Sequence, residues 1–256
     1  MSINLTEFER GEPFVGDVAA VLAALHERLA RLQLAQIVHR RRAIIVFEGW
    51  PDAGQDALRR LTGMLDPCHA TTHSTPTELE DSDERHWLAP FWGALPRPGH
   101  TTIFYRSWYA RLLLARMGGA NERKAFLRAC DEVNEFESQQ RDHGTLIIKL
   151  FFHVTEEVQR ATLDRFEADS WRRHTVGPSD QRSLARRNEI TGVLHDIFAQ
   201  TDTRWAPWRL IDANDVDAAA IAALGQIVEL FDAAMPTAPP GEAEVIEFPN
   251  GVQRHA

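Results

Sequence analysis

The stretch Ala43-Ile44-Ile45-Val46-Phe47-Glu48-Gly49-Trp50-Pro51-Asp52-Ala53-Gly54-Gln55-Asp56 decides the fold. It opens with an apolar run that predicts a buried strand, and a loop with two glycines then leads into a predicted helix at 55–65. In this placement a Gly-x4-Gly loop can bind phosphate with its backbone N–H groups. An ordinary tight turn has the same glycines, and the positions of the motif's lysine and its serine or threonine hold Gln55 and Asp56.

Further apolar strands and amphipathic helices alternate along the chain. This alternation predicts an α/β fold of three layers (α/β/α), in which a parallel central sheet is covered by helices on both faces. We expect a single domain over residues 1–235, with a small helical lid at about 165–190, and a mobile tail at 236–256 that is rich in proline and glycine. The predicted strands are 70–73, 101–105, 146–152 and 208–211, and the other predicted helices are 16–40, 82–95, 109–116, 122–141 and 218–233.

The composition predicts a soluble, cytoplasmic protein. No apolar run approaches the roughly 20 residues that cross a bilayer, and the N-terminus lacks the pattern of a secretory signal. The net charge of -9 disfavours nonspecific binding to nucleic acid, which requires a positive surface. Nearly all positive charge is arginine, because Lys124 and Lys149 are the only lysines. Cys68 and Cys130 have no disulfide or metal-site spacing, so we expect two buried thiols.

Several motifs resemble the polyphosphate kinase 2 family, in that family's order, from about Leu32 to Leu230. The most specific are Arg106-Ser107-Trp108-Tyr109 and Ala206-Pro207-Trp208. The resemblance implies a thymidylate-kinase-like P-loop fold that moves a phosphoryl group between polyphosphate and a nucleoside mono- or diphosphate, with Mg²⁺. The other matching stretches are 46–49, 52–54, 76–78, 95–99, 134–137 with Gly144, and 201–203.

The resemblance also implies which residues form the site. Asp52, Arg106 and Arg111 would carry the chemistry, and Asp52 would also bind the metal. Arg116 fits equally a binding role and a solvated helix face, and the arginine-rich lid fits equally a phosphate clamp and an exposed basic helix. The predicted phosphate-binding residues are Gly49, Ala53, Gly54 and Gln55 in the loop and Arg172 and Arg173 in the lid.

The chain departs from the family's pattern at several charged positions. Gln55 stands where the family has the loop lysine, Tyr105 where it has an acidic residue, and Pro51 where it has the loop aspartate, with Asp52 one residue late. Phosphoryl transfer depends on positioning and charge neutralisation, so each loss is expected to cost about 2–4 kcal/mol of transition-state stabilisation. Two further departures are His174-Thr175 for Trp-Lys before Ser-Pro-x-Asp, and Asn214-Asp215-Val216 for Asp-Asp-Lys.

Two hypotheses follow. The first is a weakly active or non-catalytic pseudo-phosphotransferase that binds polyphosphate or a nucleotide, binds Mg²⁺ weakly or not at all, and pairs with copies of itself or with an active paralogue. The second is an active polyphosphate-dependent nucleoside mono- or diphosphate kinase whose rewired site uses Asp52, Arg106 and Arg111 with a lid arginine. The first is favoured, because three charged positions fail together.

Overall fold

The computed structural model describes residues 3–75, 85–118 and 123–241. Its strands are β1 (Arg42–Gly49), β2 (Ala70–Ser74), β3 (Thr101–Tyr105), β4 (Thr145–His153) and β5 (Trp208–Asp212). Its α-helices are α1 (Val18–Val38), α2 (Gln55–Met64), α3 (Ala89–Gly93), α4 (Trp108–Met117), α5 (Arg123–Asp142), α6 (Glu156–Ala168), α7 (Pro178–Ser183), α8 (Arg187–Thr201) and α9 (Val216–Ala234). Short 3-10 helices cover Leu5–Phe8 and Arg172–His174.

All five strands form one parallel sheet in the order β2-β3-β1-β4-β5. β1 lies in the centre, and its residues Ala43 to Phe47 are at most 1% exposed because strands flank it on both sides and helices cover its faces. The helices form two groups, α1 with α2 and α9, and α4 with α5 and α8. The predicted three-layer α/β fold with a parallel sheet is therefore confirmed.

Most predicted elements lie within a few residues of the observed ones, and one helix was predicted wrongly. In the described part of the predicted helix 82–95, only α3 is helical, and residues 85–88 precede it. Pro90 lacks an N–H and fits only the first turn of a helix, so the helix begins immediately before it. Residues 82–84, the matching motif 76–78, Glu122 and most of the predicted tail lie outside the described residues.

Three other expectations can be compared with the fold. Within the described ranges, no helix is both long and apolar enough to cross a membrane. Cys130 is a buried thiol as expected, whereas Cys68 is exposed, so its predicted burial was wrong. The carbonyl oxygen of Ala238, in the described start of the predicted tail, accepts a hydrogen bond from the ring Nε2 of His39, the residue that follows α1.

Lys149 lies in the interior of the sheet. Its ammonium group donates to Glu137 Oε2 at 3.0 Å, to the Tyr109 hydroxyl at 2.9 Å and to the Thr201 carbonyl at 2.7 Å. Both charged side chains have no exposed surface, and burial lowers the pKa of Lys149. Lys149 is therefore committed to the core and cannot replace the lysine that the loop lacks.

Candidate functional site

The glycine loop lies at the carboxyl edge of the sheet, where β1 ends at Gly49 and α2 begins at Gln55. Both glycines are required by the close approach of β4. A Cβ atom on Gly49 would lie 2.5 Å from the carbonyl oxygen of Phe152, and one on Gly54 would lie 2.8 Å from the Phe152 ring. Open α/β sheets bind their ligands at this edge, so the loop has the position that the sequence predicted for it.

Hydrogen bonds within the loop use some of its N–H groups. The amide of Ala53 donates to the Trp50 carbonyl at 3.0 Å, and that of Gln55 donates to the Asp52 carbonyl at 3.1 Å. Asp52 adopts a left-handed backbone conformation with φ of 67°. In this conformation the two amides are occupied by the loop itself, and phosphate binding by them stays a prediction.

A cavity of about 310 Å³ lies beside the loop, and we call it the loop cavity. Loop, strand and lid residues meet there, so it brings together four of the predicted site residues. Three arginines and two aspartates give it a net positive lining. The residues that line it are Pro51, Asp52, Gln55, Arg59, Arg106, Phe166, Arg172, Thr175, Val176 and Asp180.

Asp52 is the loop carboxylate that the sequence assigned to Mg²⁺. Its Oδ2 accepts from Arg165 at 3.3 Å, and its Oδ1 is buried without a hydrogen-bond partner among the described residues. Burial raises the pKa of Asp52, and Arg165 is the leading group that acts against this rise.

Two carboxylates, those of Asp52 and Asp180, line the loop cavity. Mg²⁺ prefers octahedral oxygen coordination, usually from one or two carboxylates together with phosphates and water. The part of the chain that the structure describes contains no cluster of three or more metal-ligating side chains. The carboxylate of Asp180 in the same cavity is bound by an arginine, so Asp52 alone is left, with one oxygen enclosed.

Arg106 is paired with Asp180 on α7, in the segment predicted to be a lid. Its Nη2 donates to both carboxylate oxygens of Asp180, at 3.0 and 2.9 Å, and the side chains are 21% and 15% exposed. Arg106 has φ of 61°, a conformation that a residue with a side chain adopts at some cost. Its backbone N–H donates to the Phe47 carbonyl at 2.9 Å, which helps to hold this turn after β3.

Gln55 and Tyr105, two positions that depart from the family's pattern, lie near each other. Gln55 Oε1 accepts a hydrogen bond from Arg59 at 2.7 Å. Burial raises the pKa of Tyr105, although Arg106 acts in the opposite direction. A neutral amide and a neutral phenol therefore occupy positions where the family has a cation and an acid.

The remaining predicted arginines differ in position. Arg172 lines the loop cavity and lies over the Phe166 ring at 5.4 Å. Arg173 is exposed and donates to the Ser170 carbonyl. Arg111 donates to the Trp87 carbonyl at 3.0 Å and does not line the loop cavity, and the guanidinium of Arg116 lies over a phenylalanine ring in α5. The catalytic role of Arg111 stays a prediction.

A second cavity of about 240 Å³ lies between α4 and α8, and we call it the apolar cavity. Leu113 and Met117 on α4 and Leu194 and Phe198 on α8 form its walls. Arg106, Asp180 and Pro51 line both cavities, so the two are adjacent. The apolar residues of α4 and α8 are visible in the sequence. The sequence does not show that a cavity separates the two helices.

Sequence reasoning missed several residues of this edge. Asp180 follows Pro178 in the lid, where the family has Ser-Pro-x-Asp, and this was the available signal. Glu48 accepts from the backbone N–H and the hydroxyl of Ser107, at 2.6 and 2.7 Å, and burial raises its pKa. The side chain of Trp50 donates to His153 Nδ1 at 2.9 Å, a contact that no local pattern indicated.

Comparison with known proteins gives consistent results. A model of the polyphosphate kinase 2 family matches residues 16–239. The polyphosphate:AMP phosphotransferase of Pseudomonas aeruginosa is 32% identical to this chain, and the match covers 83% of this chain and 43% of that protein. The polyphosphate:AMP phosphotransferase of Acinetobacter johnsonii is 30% identical, and the match covers 90% of this chain and 48% of that protein. The chain thus spans about half the length of these relatives. The crystal structure of polyphosphate kinase 2 from Arthrobacter aurescens has a TM-score of 0.83 at 22% identity, covering 93% of this chain and 87% of that one, which is a likeness of fold.

Proposed function

The chain belongs to the polyphosphate kinase 2 family, and from this premise we propose that it is a weakly active or non-catalytic pseudo-phosphotransferase that binds polyphosphate or a nucleotide at the loop cavity. The observation that carries the proposal is that two uncharged side chains, the amide of Gln55 and the phenol of Tyr105, lie near each other at this edge of the sheet. Phosphoryl transfer needs fixed charge around the transferred group, because negative charge spreads over its oxygens in the transition state. A neutral pair at these two positions supplies hydrogen bonds without that charge.

The pairing of Arg106 also supports low activity. A guanidinium can stabilise phosphate oxygens with two parallel hydrogen bonds. Both carboxylate oxygens of Asp180 already accept from Arg106, so its charge is neutralised within the protein. A phosphate ligand that binds Arg106 through Nη2 must displace this carboxylate, and one that binds through the other N–H groups competes with its charge.

Binding of an anion is supported by the cations of the loop cavity. Arg59 and Arg172 line it, and Arg165 approaches Asp52 from its border. These arginines favour polyphosphate or the phosphates of a nucleotide, and the adjoining apolar cavity has room for an apolar group such as a base. With a single partly enclosed carboxylate in the loop, Mg²⁺ would bind weakly or only together with phosphates.

The cytoplasm is the expected location of the protein and of its polyphosphate or nucleotide ligand. A second copy of the chain or an active paralogue is the partner that a domain without catalytic activity implies.

Turnover and binding should be measured on the same preparation. We expect no nucleoside di- or triphosphate above background from polyphosphate, Mg²⁺ and a panel of nucleoside mono- and diphosphates, followed by phosphorus NMR or luminescence. Calorimetric titration with tripolyphosphate should detect binding, and Arg59→Ala with Arg172→Ala should weaken it. Absence of any binding would contradict the proposal, and so would rapid turnover.

The second candidate, an active kinase with a rewired site, keeps one specific observation in its favour. Arg59 and Arg172 line the loop cavity and bring the positive charge that Gln55 lacks. Under this candidate the panel gives measurable product, and Arg106→Ala abolishes it. The same assay therefore separates the two functions.

Asp180→Asn is expected to raise the affinity for tripolyphosphate about tenfold, because it removes the charge that competes for Arg106 and charge-assisted hydrogen bonds contribute roughly 1.5–3 kcal/mol. Calorimetric titration measures the change. Asp164→Asn is the matched control, since it removes the same charge from an exposed position on α6. Equal affinities of the two variants would show that Asp180 does not compete with the ligand.

A further inference from the structure

Residues 3–15, which precede α1, lie across the carboxyl ends of β4 and β5, and we call them the strap. The backbone N–H of Gly11 donates to Asp212 Oδ2 at 2.9 Å, and the Phe8 carbonyl accepts from the Asn214 side chain at 3.4 Å. Leu5 is 2% exposed, so the strap is packed against the domain. The match to the family model begins at residue 16, and the strap therefore lies outside it.

The strap reaches the end of β4 through Glu9. Its Oε1 lies 2.8 Å from His153 Nε2, and the other ring nitrogen of His153 lies 2.9 Å from the indole nitrogen of Trp50. An indole N–H only donates, so Nδ1 of His153 must accept and the ring proton must lie on Nε2. The carboxylate of Glu9 accepts a hydrogen bond from Nε2–H of His153. This bond favours the tautomer with the proton on Nε2, in which Nδ1 is free to accept from Trp50.

Trp50 connects this pair to the glycine loop. It is the first residue after β1, its side chain is 5% exposed, and the guanidinium of Arg187 lies 4.1 Å from its ring centre. Its backbone carbonyl accepts from Ala53, and its N–H donates to Phe152 at 3.3 Å. The side chain and backbone of Trp50 thus fix the start of the loop between β4 and α8.

We propose that Glu9 is a positioning residue for the loop: it holds His153 in the tautomer that accepts from Trp50, and through Trp50 it keeps residues 50–55 in one conformation. This inference deepens the proposed function, because a fixed loop matters for binding only if the loop cavity takes a phosphate ligand. In the described structure no hydrogen bond joins Glu9 to the loop, and its one side-chain hydrogen bond is to His153. The charge of Glu9 also acts on Arg187, whose guanidinium lies over the Trp50 ring, and Glu9→Gln separates this effect from the hydrogen bond because it removes the charge and keeps an acceptor.

The first experiment measures the loop without any ligand. Amide hydrogen exchange of residues 50–55 should be several-fold faster in Glu9→Ala than in the unaltered chain. Glu9→Gln should restore slow exchange, because an amide oxygen also accepts from Nε2–H. Glu7→Ala is the matched control in the strap, since Glu7 is exposed and its one side-chain hydrogen bond in the described structure is accepted from Asn4. Equal exchange in Glu9→Ala and Glu7→Ala would overturn the inference.

The second experiment tests the route through His153. In a His153→Asn background, whose side-chain oxygen can accept from Trp50 without a tautomer choice, Glu9→Ala should no longer change loop exchange. An undiminished effect in that background would overturn the inference.

The third experiment concerns the ligand. Tripolyphosphate affinity should fall about fivefold to tenfold in Glu9→Ala, the scale of a lost supporting hydrogen bond, and recover in Glu9→Gln. If the unaltered chain binds no tripolyphosphate, the proposed function fails, whereas the exchange experiments still decide the role of Glu9. An affinity unchanged in Glu9→Ala, despite faster exchange, would overturn the link between loop position and binding.

Discussion

The double change Gln55→Lys with Tyr105→Asp is expected to raise polyphosphate-dependent phosphoryl transfer at least about 100-fold, from a rate at or near background, because it places a cation in the loop cavity and a carboxylate beside Arg106, which lines that cavity. Each group is expected to contribute about 2–4 kcal/mol of transition-state stabilisation, and groups that act together are not additive. The 100-fold increase in rate is therefore given as a lower bound, and the two contributions are not summed.

The proximity of the two positions is the reason for changing them together. The Gln55 side chain lies near the Tyr105 hydroxyl, so an introduced lysine and aspartate would neighbour each other and Arg106. An introduced aspartate without its lysine would add negative charge beside Asp52 and repel a polyanion. An introduced lysine alone would bring the cation but no second oxygen ligand for Mg²⁺.

Turnover should be followed by luminescence with polyphosphate, Mg²⁺ and each nucleotide of the panel. Gln55→Met with Tyr105→Phe is the matched control, because it changes the same positions without adding charge and should remain silent. Thermal unfolding of each variant checks that removing the largely buried Tyr105 has not unfolded the chain. A decrease from an existing activity would contradict the pseudo-phosphotransferase proposal and support the rewired site.

The fold was predictable because its signals are local. The apolar run at 43–47 predicts a buried strand, and its alternation with helices predicts the parallel sheet. The helix predicted at 82–95 was wrong over residues 85–88, because Pro90 lacks an N–H and is tolerated in the first turn of a helix, so α3 begins only at Ala89. No similar local rule marks which strand lies beside which, so the central position of β1 between β3 and β4 needed the structure.

The site was only partly predictable, because its chemistry depends on pairs that are distant in sequence. The glycine loop, Asp52 and Arg106 were found from motifs and lie together at the loop cavity. The carboxylate that neutralises Arg106 is 74 residues away, and helical spacing does not reveal that Arg111 is bound by a carbonyl group instead. Sequence patterns indicate which residues are present at an edge, whereas side-chain partners decide which charges are free.

The two lysines illustrate the same limit, since only the structure separates them. Lys124 is exposed on α5, whereas Lys149 donates to three buried oxygen atoms. Glu137 also accepts from the Tyr109 hydroxyl at 2.6 Å and from the Trp108 indole at 3.1 Å. The motif Arg-Ser-Trp-Tyr therefore contributes its aromatic pair to a buried polar network beneath the site, while its arginine faces the ligand edge.

Lys149→Met is expected to lower the free energy of unfolding by about 3–5 kcal/mol, because it leaves the charge of Glu137 buried without its cation. For a chain of this size that corresponds to a melting temperature lower by roughly 10 °C. Calorimetry or urea unfolding measures the loss, and Lys124→Met is the control that should stay within about 0.5 kcal/mol. Adding Glu137→Gln to Lys149→Met should recover much of the loss, since the amide oxygen still accepts from Tyr109 and Trp108 without a buried charge. A double variant no more stable than Lys149→Met alone would mean that lost packing, rather than an unpaired carboxylate, causes the destabilisation.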